Sequence, residues 1–505
     1  MFIGIKAILT GAFVFNLLLM MTVYPKQSEG PLTFSDKVVS VPFFEDAPRP
    51  PWYESEPWKE YTDKLQLQKE VDFANEDNYC QKVEEYRKAH PIKFDSKGIP
   101  IWRDRNTCTD YQTEQVPRQV LQAYTNMTYK PKIANQKVHP PFSPAYNLFF
   151  VVKSRWHVNH LIEKHFLCKG QRYNHIPGIA WINYKDLTAN MFREYANYYK
   201  GREHCFDPWK IMPYTLDLTQ EDQCREFLSI LEKERDSSEI NWMIKKSRYA
   251  HNGKGVDVLD KQTKEEFLIK EECPWQEGYL AQWYIADPML IEGHKFDFRA
   301  YMFIASMDPL IILYHDGFVR MSMTEWDPES NDKTSHLTNI KVAKASMESK
   351  NLTPEQQKLL LEDQGWSYAH FENYMLDKGV VYPGWMENVM KKKIKLTMFH
   401  IVRMNLDKLL RHPRVFELMG MDFLVDNNLN VWYIEANLSP SISATSQEKK
   451  KLNSDLMRGV IDVEYALEYG ADLDTVLRDT QLEVVFDGRK PGMERYAGLL
   501  EEECL

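Results

Sequence analysis

Two strand-like runs, at 296–306 (FDFRAYMFIAS) and 310–323 (LIILYHDGFVRMSM), are separated by only three residues. Runs this rich in aromatic and β-branched residues, so closely spaced, read as hairpin-linked strands. In the first run Lys295, Asp297 and Arg299 alternate with Phe296 and Phe298. On a strand, that alternation puts three charges on one face and two rings on the other. Arg320, near the end of the second run, adds another cation. A solvated charge ladder is one explanation. The other is a site: two arginines converging on one spot repel unless an anion, such as a terminal phosphate, sits between them.

The rest of the chain alternates similar strands with helical text. NLFFVVKS (147–154), NWMIKKS (241–247) and GYLAQWYI (278–285) read as strands, and helical pattern dominates 354–412. MDFLVD (421–426) and NVWYIEANL (430–438) flank Asn427-Asn428, a turn signal, and form a predicted hairpin. Strands mixed with helices in this way predict an α+β fold rather than a doubly wound parallel sheet. With 505 residues, 43% of them hydrophobic, the chain can bury a large core. Its 63 basic and 73 acidic side chains leave a net charge of -10, which argues against a nucleic-acid partner. The seven cysteines are scattered without a C-x-x-C pair, so a structural zinc site is not expected. Cys80 and Cys108 are either a disulfide or two buried thiols.

Two further constellations carry chemistry. Lys245-Lys246 lead from a strand into a turn that holds Gly253 and Gly255. Glycines there let backbone N–H groups approach phosphate oxygens, and a strand-end lysine adds a point charge; a plain hairpin turn has the same look. Asp422, Glu435 and Asn437 fall on the two arms of the predicted hairpin. Glu435 and Asn437, two apart, point the same way. Carboxylates with an amide oxygen are the hard ligands that Mg²⁺ takes alongside nucleotide phosphates.

The N-terminus carries a separate signal. Ala7 to Tyr24 is uncharged and largely apolar, flanked by Lys6 and Lys26. It reads as an uncleaved signal-anchor, a cleaved signal peptide or an amphipathic start, and the first two predict association with the secretory membrane system, facing either side. The expected organisation is a targeting segment (1–26), an N-terminal region without assigned role (27–140), a catalytic domain (141–480) and a C-terminal tail (481–505).

Together the motifs resemble the tubulin-tyrosine-ligase-like family, a branch of the ATP-grasp enzymes. The resemblance runs from about Asn174 to Val460. It rests on Asn174-His-Ile-Pro-Gly178, Lys185-Asp-Leu, Trp242-Met-Ile-Lys-Lys246 with Gly253-Lys-Gly255, Gln282-Trp-Tyr-Ile285, Lys295-Phe-Asp297-Phe-Arg299, His336-Leu-Thr338-Asn339, the segment Phe416 to Asp422, and Ile434-Glu435-Ala-Asn437. It implies an ATP-grasp ligase using ATP and Mg²⁺. By resemblance, Lys245 or Lys246 with Gly253 and Gly255 binds phosphates. Gln282 and the backbone of Tyr284 and Ile285 frame adenine, and Lys295 and Asp297 position the nucleotide. Arg299 and Arg320 hold the γ-phosphate, with Thr338 and Asn339 supporting that region. Asp422, Glu435 and Asn437 ligate magnesium. The implied reaction joins a free amino acid (glutamate, glycine or tyrosine) to a protein carboxylate, with tubulin tails the family's acceptor. Two alternatives stay open: the same chemistry on a secretory-pathway substrate, and a membrane-anchored protein that binds nucleotide or tubulin without catalysis. Lys391–Lys393, Lys395, Arg403, Arg411 and Arg414 offer a candidate basic groove for an acidic tail.

Overall fold

Pairing switches from parallel to antiparallel within one sheet of eleven strands. The computed structural model describes residues 76–109, 115–129, 145–150, 168–202, 205–237, 241–246, 256–269, 278–327, 333–336, 338, 353, 365–438, 440–442, 444 and 446–490. All belong to one compact unit within Ala47–Leu505. Among them no helix is long and apolar enough to cross a membrane; the apolar run from Ala7 to Tyr24 lies outside the described residues.

From the N-terminal side come helix α1 (Glu76–Ala89), β1 (Asn106–Thr109), α2 (Gln115–Tyr124), β2 (Asn126–Tyr129), β3 (Leu148–Phe150) and β4 (Arg172–Asn174). These four short strands are the parallel half of the large sheet, in the order β4-β3-β1-β2. Strands upstream of residue 141 are therefore built into the main sheet. Of the strand expected at 147–154, the part through Phe150 is described, and it is buried on both faces.

A smaller lobe follows: α3 (Lys185–Tyr198), β5 (Thr215–Asp217), α4 (Glu221–Lys233), β6 (Trp242–Lys246), β7 (Val256–Val258), α5 (Lys261–Ile269) and β8 (Tyr279–Trp283). Its four strands form an antiparallel sheet ordered β5-β8-β6-β7. Phe227 and Leu231 of α4 and Phe267 of α5 pack on Trp242, Ile244 and Ala281 of that sheet. Fully burying each such side chain contributes about 1.5–3 kcal/mol.

The antiparallel half of the large sheet comprises β9 (Leu290–Ile291), β10 (His294–Met307), β11 (Leu310–Met321), β12 (Gly365–Trp366), β13 (Val415–Val425), β14 (Val431–Leu438) and β15 (Glu483–Asp487). The expected hairpins at 296–323 and 421–438 are β10–β11 and β13–β14. β13 is the pivot: Val415 and Phe416 pair in parallel with β4, and the residues after them pair antiparallel with β10 and β14. β15, from the segment expected to be a tail, completes the edge of β11. Helices α6 (Tyr368–Asp377), α7 (Lys392–Arg403) and α8 (Gln447–Tyr469) complete the described unit. Leu456, Val460 and Val463 of α8 pack in one core with Tyr301, Phe303 and Leu313. The fold is thus mixed α+β, consistent with an ATP-grasp-like domain.

One pairing departs from the sequence reading. Cys80 is bonded to Cys168, not to Cys108. Their Cα atoms lie 5.3 Å apart, the separation a disulfide requires. Cys205 and Cys224 are disulfide-bonded as well.

Candidate active site

The charged residues of the long hairpin meet because of strand register. Across β10–β13, Arg299 stands opposite Asp422; across β10–β11, Asp297 stands opposite Arg320. Directly opposed residues have neighbouring side chains, so the three strands weave two cations and two anions into one patch. Arg299 donates from Nε to Asp422 Oδ1 (2.5 Å) and from Nη2 to Oδ2 (3.0 Å). Arg320 donates from Nε to Asp297 Oδ1 (2.7 Å), and from Nη2 both to Asp297 Oδ2 and to Asp422 Oδ2 (2.9 Å). Thr338 Oγ1 adds a hydrogen bond to Asp297 Oδ2 at 2.7 Å. All four charged side chains are buried. A solvated ladder is thereby excluded, and the Asp422 carboxylate lies between the two arginines.

Burial and pairing oppose each other here. Burial pushes the Asp297 carboxyl up, with the Arg320 guanidinium working against it. For Arg320, burial favours the neutral form, but Asp297 and Asp422 outweigh it and hold the guanidinium well above its ordinary value. Gly420 on β13 makes room for the pairing: a Cβ there would lie 2.9 Å from both Arg299 Nη1 and Pro440 Cβ.

Beside this foursome lies the expected metal-ligand set. Glu435 is opposite Asp422 in the β13–β14 ladder, and Asn437 is opposite Gly420. The Asn437 amide spans the two acids, with Nδ2 3.3 Å from Asp422 Oδ2 and 3.1 Å from Glu435 Oε1. Half a turn of that amide would present its oxygen at the same point. Two carboxylates and an amide oxygen then converge, which fits Mg²⁺ completing its shell with phosphate oxygens. Among the described residues no cluster of three or more His, Cys, Asp or Glu forms a self-sufficient cage for another metal. Lys185 of α3 reaches the same spot, its Nζ 3.2 Å from Glu435 Oε2. The sequence offered Lys185 only as part of a motif; the three-dimensional placement gives it a position in the site.

A third group is centred on the Tyr284 hydroxyl. It receives hydrogen bonds from Lys295 Nζ and Trp326 Nε1, both at 3.3 Å, and lies 2.7 Å from His336 Nδ1. Lys295 Nζ also sits 4.6 Å from the centre of the Tyr284 ring. Burial pushes the Lys295 ammonium down to about 8, opposed by Asp297, and the Tyr284 phenol up to about 12. The backbone N–H of Tyr284 is donated to Asn241 O.

A cleft opens between the lobes. It is lined by Gln282 and Thr215 of the small sheet, Lys185 of α3, and Tyr433 and Glu435 of β14. Gln282 is fixed by a 2.9 Å hydrogen bond from its Nε2 to Thr215 Oγ1. Ile285 follows β8, half-buried. Lys245 and Lys246 lie on β6, paired with Leu280 and Tyr279 of β8. Gly253, Gly255 and Asn339 lie outside the described residues.

Five of the cations expected to form a basic groove have partners within the chain. Lys391 pairs with Asp316, Glu387 and Glu483, and Lys395 pairs with Glu483. Arg403 donates to the hydroxyls of Tyr195 and Tyr199, Arg411 meets Asp308, and Arg414 meets Glu468. These five are tied to groups of the chain itself, while Lys392 and Lys393 of α7 are exposed.

Comparison with known proteins decides the family. The tubulin-tyrosine ligase family matches residues 162–470, well over half of the chain. The chain belongs to the tubulin-tyrosine ligase family. Similar curated proteins include the human inactive polyglycylase TTLL10, 29% identical over 47% of this chain and 36% of that protein. The human tubulin monoglutamylase TTLL4 is 28% identical over 58% of this chain and 23% of its own length. The mouse tubulin polyglutamylase TTLL5 is 28% identical over 65% of this chain and 23% of its own length. The chain thus spans roughly a quarter to a third of these relatives. The described site groups, from Lys185 on α3 to Asn437 on β14, lie inside the family match. At the level of the family, membership supports an amino-acid ligase.

Proposed function

We propose that the chain is an ATP-dependent carboxylate–amine ligase that joins a free amino acid to a protein carboxylate. The observation that carries this reading is the buried Arg299–Asp422–Arg320–Asp297 foursome, set directly beside Glu435 and Asn437. Two arginines fixed next to converging carboxylates supply the kind of preorganised charge that phosphoryl transfer needs.

An acceptor carboxylate oxygen attacks the γ-phosphorus of ATP, ADP leaves, and an acylphosphate forms. The amine of the incoming amino acid then attacks the acyl carbon, phosphate departs, and the nitrogen gives up a proton. Arg299 and Arg320 are held rigidly enough to offset charge on the moving phosphoryl group without reorganising. Lys185, which lines the cleft, and the buried Lys295 add positive charge, and Gln282 orients the base. Magnesium, held by Asp422, Glu435 and Asn437, would supply the charge that neutralises phosphate oxygens.

The names of the relatives point to tubulin as the acceptor to assay first, and to glutamate and glycine, with tyrosine, as donors. The test incubates the full chain with ATP, magnesium, tubulin and each amino acid, and reads the acceptor by mass spectrometry. A mass gain that disappears with Glu435→Gln supports the reading. Wild-type protein that binds ATP but transfers no amino acid to tubulin or to any other protein acceptor would count against it.

A further inference from the structure

Helix α1 is too polar to hold itself in place. Of its described side chains, residues 80–89, Val83 is the buried one, while Cys80, Tyr86 and Arg87 are half-buried. Across those ten residues, one buried valine cannot offset the entropy of ordering them. Polar contacts help: Arg87 donates from Nη1 to Tyr469 OH (2.6 Å) and from Nη2 to Gly170 O (2.8 Å) and Tyr146 O (3.3 Å). The Gly170 N–H donates in turn to Glu468 Oε1 at 2.5 Å. These contacts surround the Cys80–Cys168 bridge, which joins residues 88 apart in sequence. The bridge is the covalent staple on which the docking depends. With Cys205 and Cys224 also bonded, at least four of the seven cysteines are oxidised.

Such a pattern conflicts with a reducing environment. In the cytosol, glutathione and thioredoxin keep thiols reduced, whereas structural disulfides persist in the secretory lumen and outside the cell. Forming the bridge takes two protons and two electrons from the thiols of Cys80 and Cys168. A disulfide oxidant, protein or glutathione disulfide, accepts them and leaves as two thiols. The apolar run from Ala7 to Tyr24 is a segment of the type that sends chains into that compartment.

We infer that this chain works in an oxidising compartment, and that its natural acceptor is a carboxylate on a protein of the secretory pathway, with tubulin serving as an assay surrogate. The inference rests on the ligase reading above and narrows its substrate class.

The test expresses the full chain in animal cells, alkylates free thiols before lysis, and maps unreduced peptides by mass spectrometry. The same purified protein is assayed for ATP-dependent transfer of labelled amino acid to tubulin and to a secreted-protein fraction, with Glu435→Gln as control. The expected result is a dominant Cys80–Cys168 cross-linked peptide, with labelling of secreted proteins that the control lacks. Alkylated Cys80 and Cys168 in a chain that still ligates overturns the compartment and leaves the ligase reading intact. A cross-linked chain that labels no acceptor overturns the ligase reading, and the substrate inference with it. Cys80→Ser should lower the melting temperature by about 5 °C; an unchanged melting temperature sinks the staple argument. Should that variant fail to fold, titrating wild-type protein with reductant gives the same readout.

Discussion

Arg299 and Asp422 are joined by two parallel hydrogen bonds across the β10–β13 ladder, although 123 residues separate them in sequence. Asp422 is also bound by Arg320 and lies beside the Asn437 amide. A residue expected to hold a metal is thus already neutralised by two guanidinium groups. Magnesium arriving with a nucleotide would share Asp422 with them, and each phosphate oxygen that approaches would find two cations already aimed.

Removing Arg299 should therefore do more than remove the charge proposed to meet the phosphoryl group. Arg299→Ala leaves three buried ionic groups with a net negative charge. Breaking a buried pair by deleting one partner is strongly destabilising, and about 3 kcal/mol is expected here because Arg320 still covers Asp422. Chemical denaturation should show that loss. The double variant Arg299→Met/Asp422→Asn should recover most of the stability while staying inactive. A stable Arg299→Ala protein would mean that the pair contributes little to the fold.

Glu435 behaves differently because its side chain is a quarter exposed and its ion pair with Lys185 is partly solvated. Partly exposed pairs contribute little stability. Glu435→Gln should melt within a degree or two of wild type, yet lose roughly 10²–10³-fold in turnover, the usual cost of one preorganised group. Initial ligation rates beside thermal melts separate the two effects. A wild-type rate in the folded variant would remove Glu435 from the site.

The depressed Lys295 ammonium makes a pH prediction. Below about 8 the buried lysine is charged and can meet a phosphate; above that value it is increasingly neutral. Nucleotide affinity should be flat up to pH 8 and then fall by about tenfold per pH unit. The stability contribution runs the other way. A lysine whose folded value lies below its unfolded one penalises the fold below pH 8, and the penalty is relieved as pH rises toward the unfolded value. Calorimetric titration of ATP between pH 7 and 9.5 tests the first effect, and Lys295→Arg should abolish the break.

How much of this was legible in the sequence depended on distance along the chain. The β13–β14 hairpin could be read because Asn427-Asn428 marks its turn, and period-two alternation then puts Glu435 and Asn437 on one face. The shared face of Asp297 and Arg299 followed from the same alternation. What each arginine meets could not be read, because the β10–β13 neighbourhood is a tertiary choice. The Cys80–Cys168 pairing was equally hidden, since cysteine spacing does not fix connectivity. Strands of three or four residues, such as β1 to β4, carry too little periodicity to announce a parallel sheet. The cations of the supposed groove were legible, but partners remote in sequence, such as Glu483 for Lys395 and Asp308 for Arg411, were not.

Gly420 offers the most selective test of the arginine geometry. It carries no charge and no side chain, yet a methyl group there would lie 2.9 Å from Arg299 Nη1 and 2.9 Å from Pro440 Cβ. Contacts that short force the guanidinium away from Asp422 or the Pro440 segment away from β13. Overpacking of this kind costs about 1–3 kcal/mol, and displacement by 1 Å at a site of this type can cost on the order of 100-fold in rate. Gly420→Ala should accordingly fold, bind ATP within a few-fold of wild type, and lose most of its turnover. If its turnover matched wild type, the contact between Arg299 and Asp422 could shift without consequence, and the rigid foursome could not be what drives phosphoryl transfer.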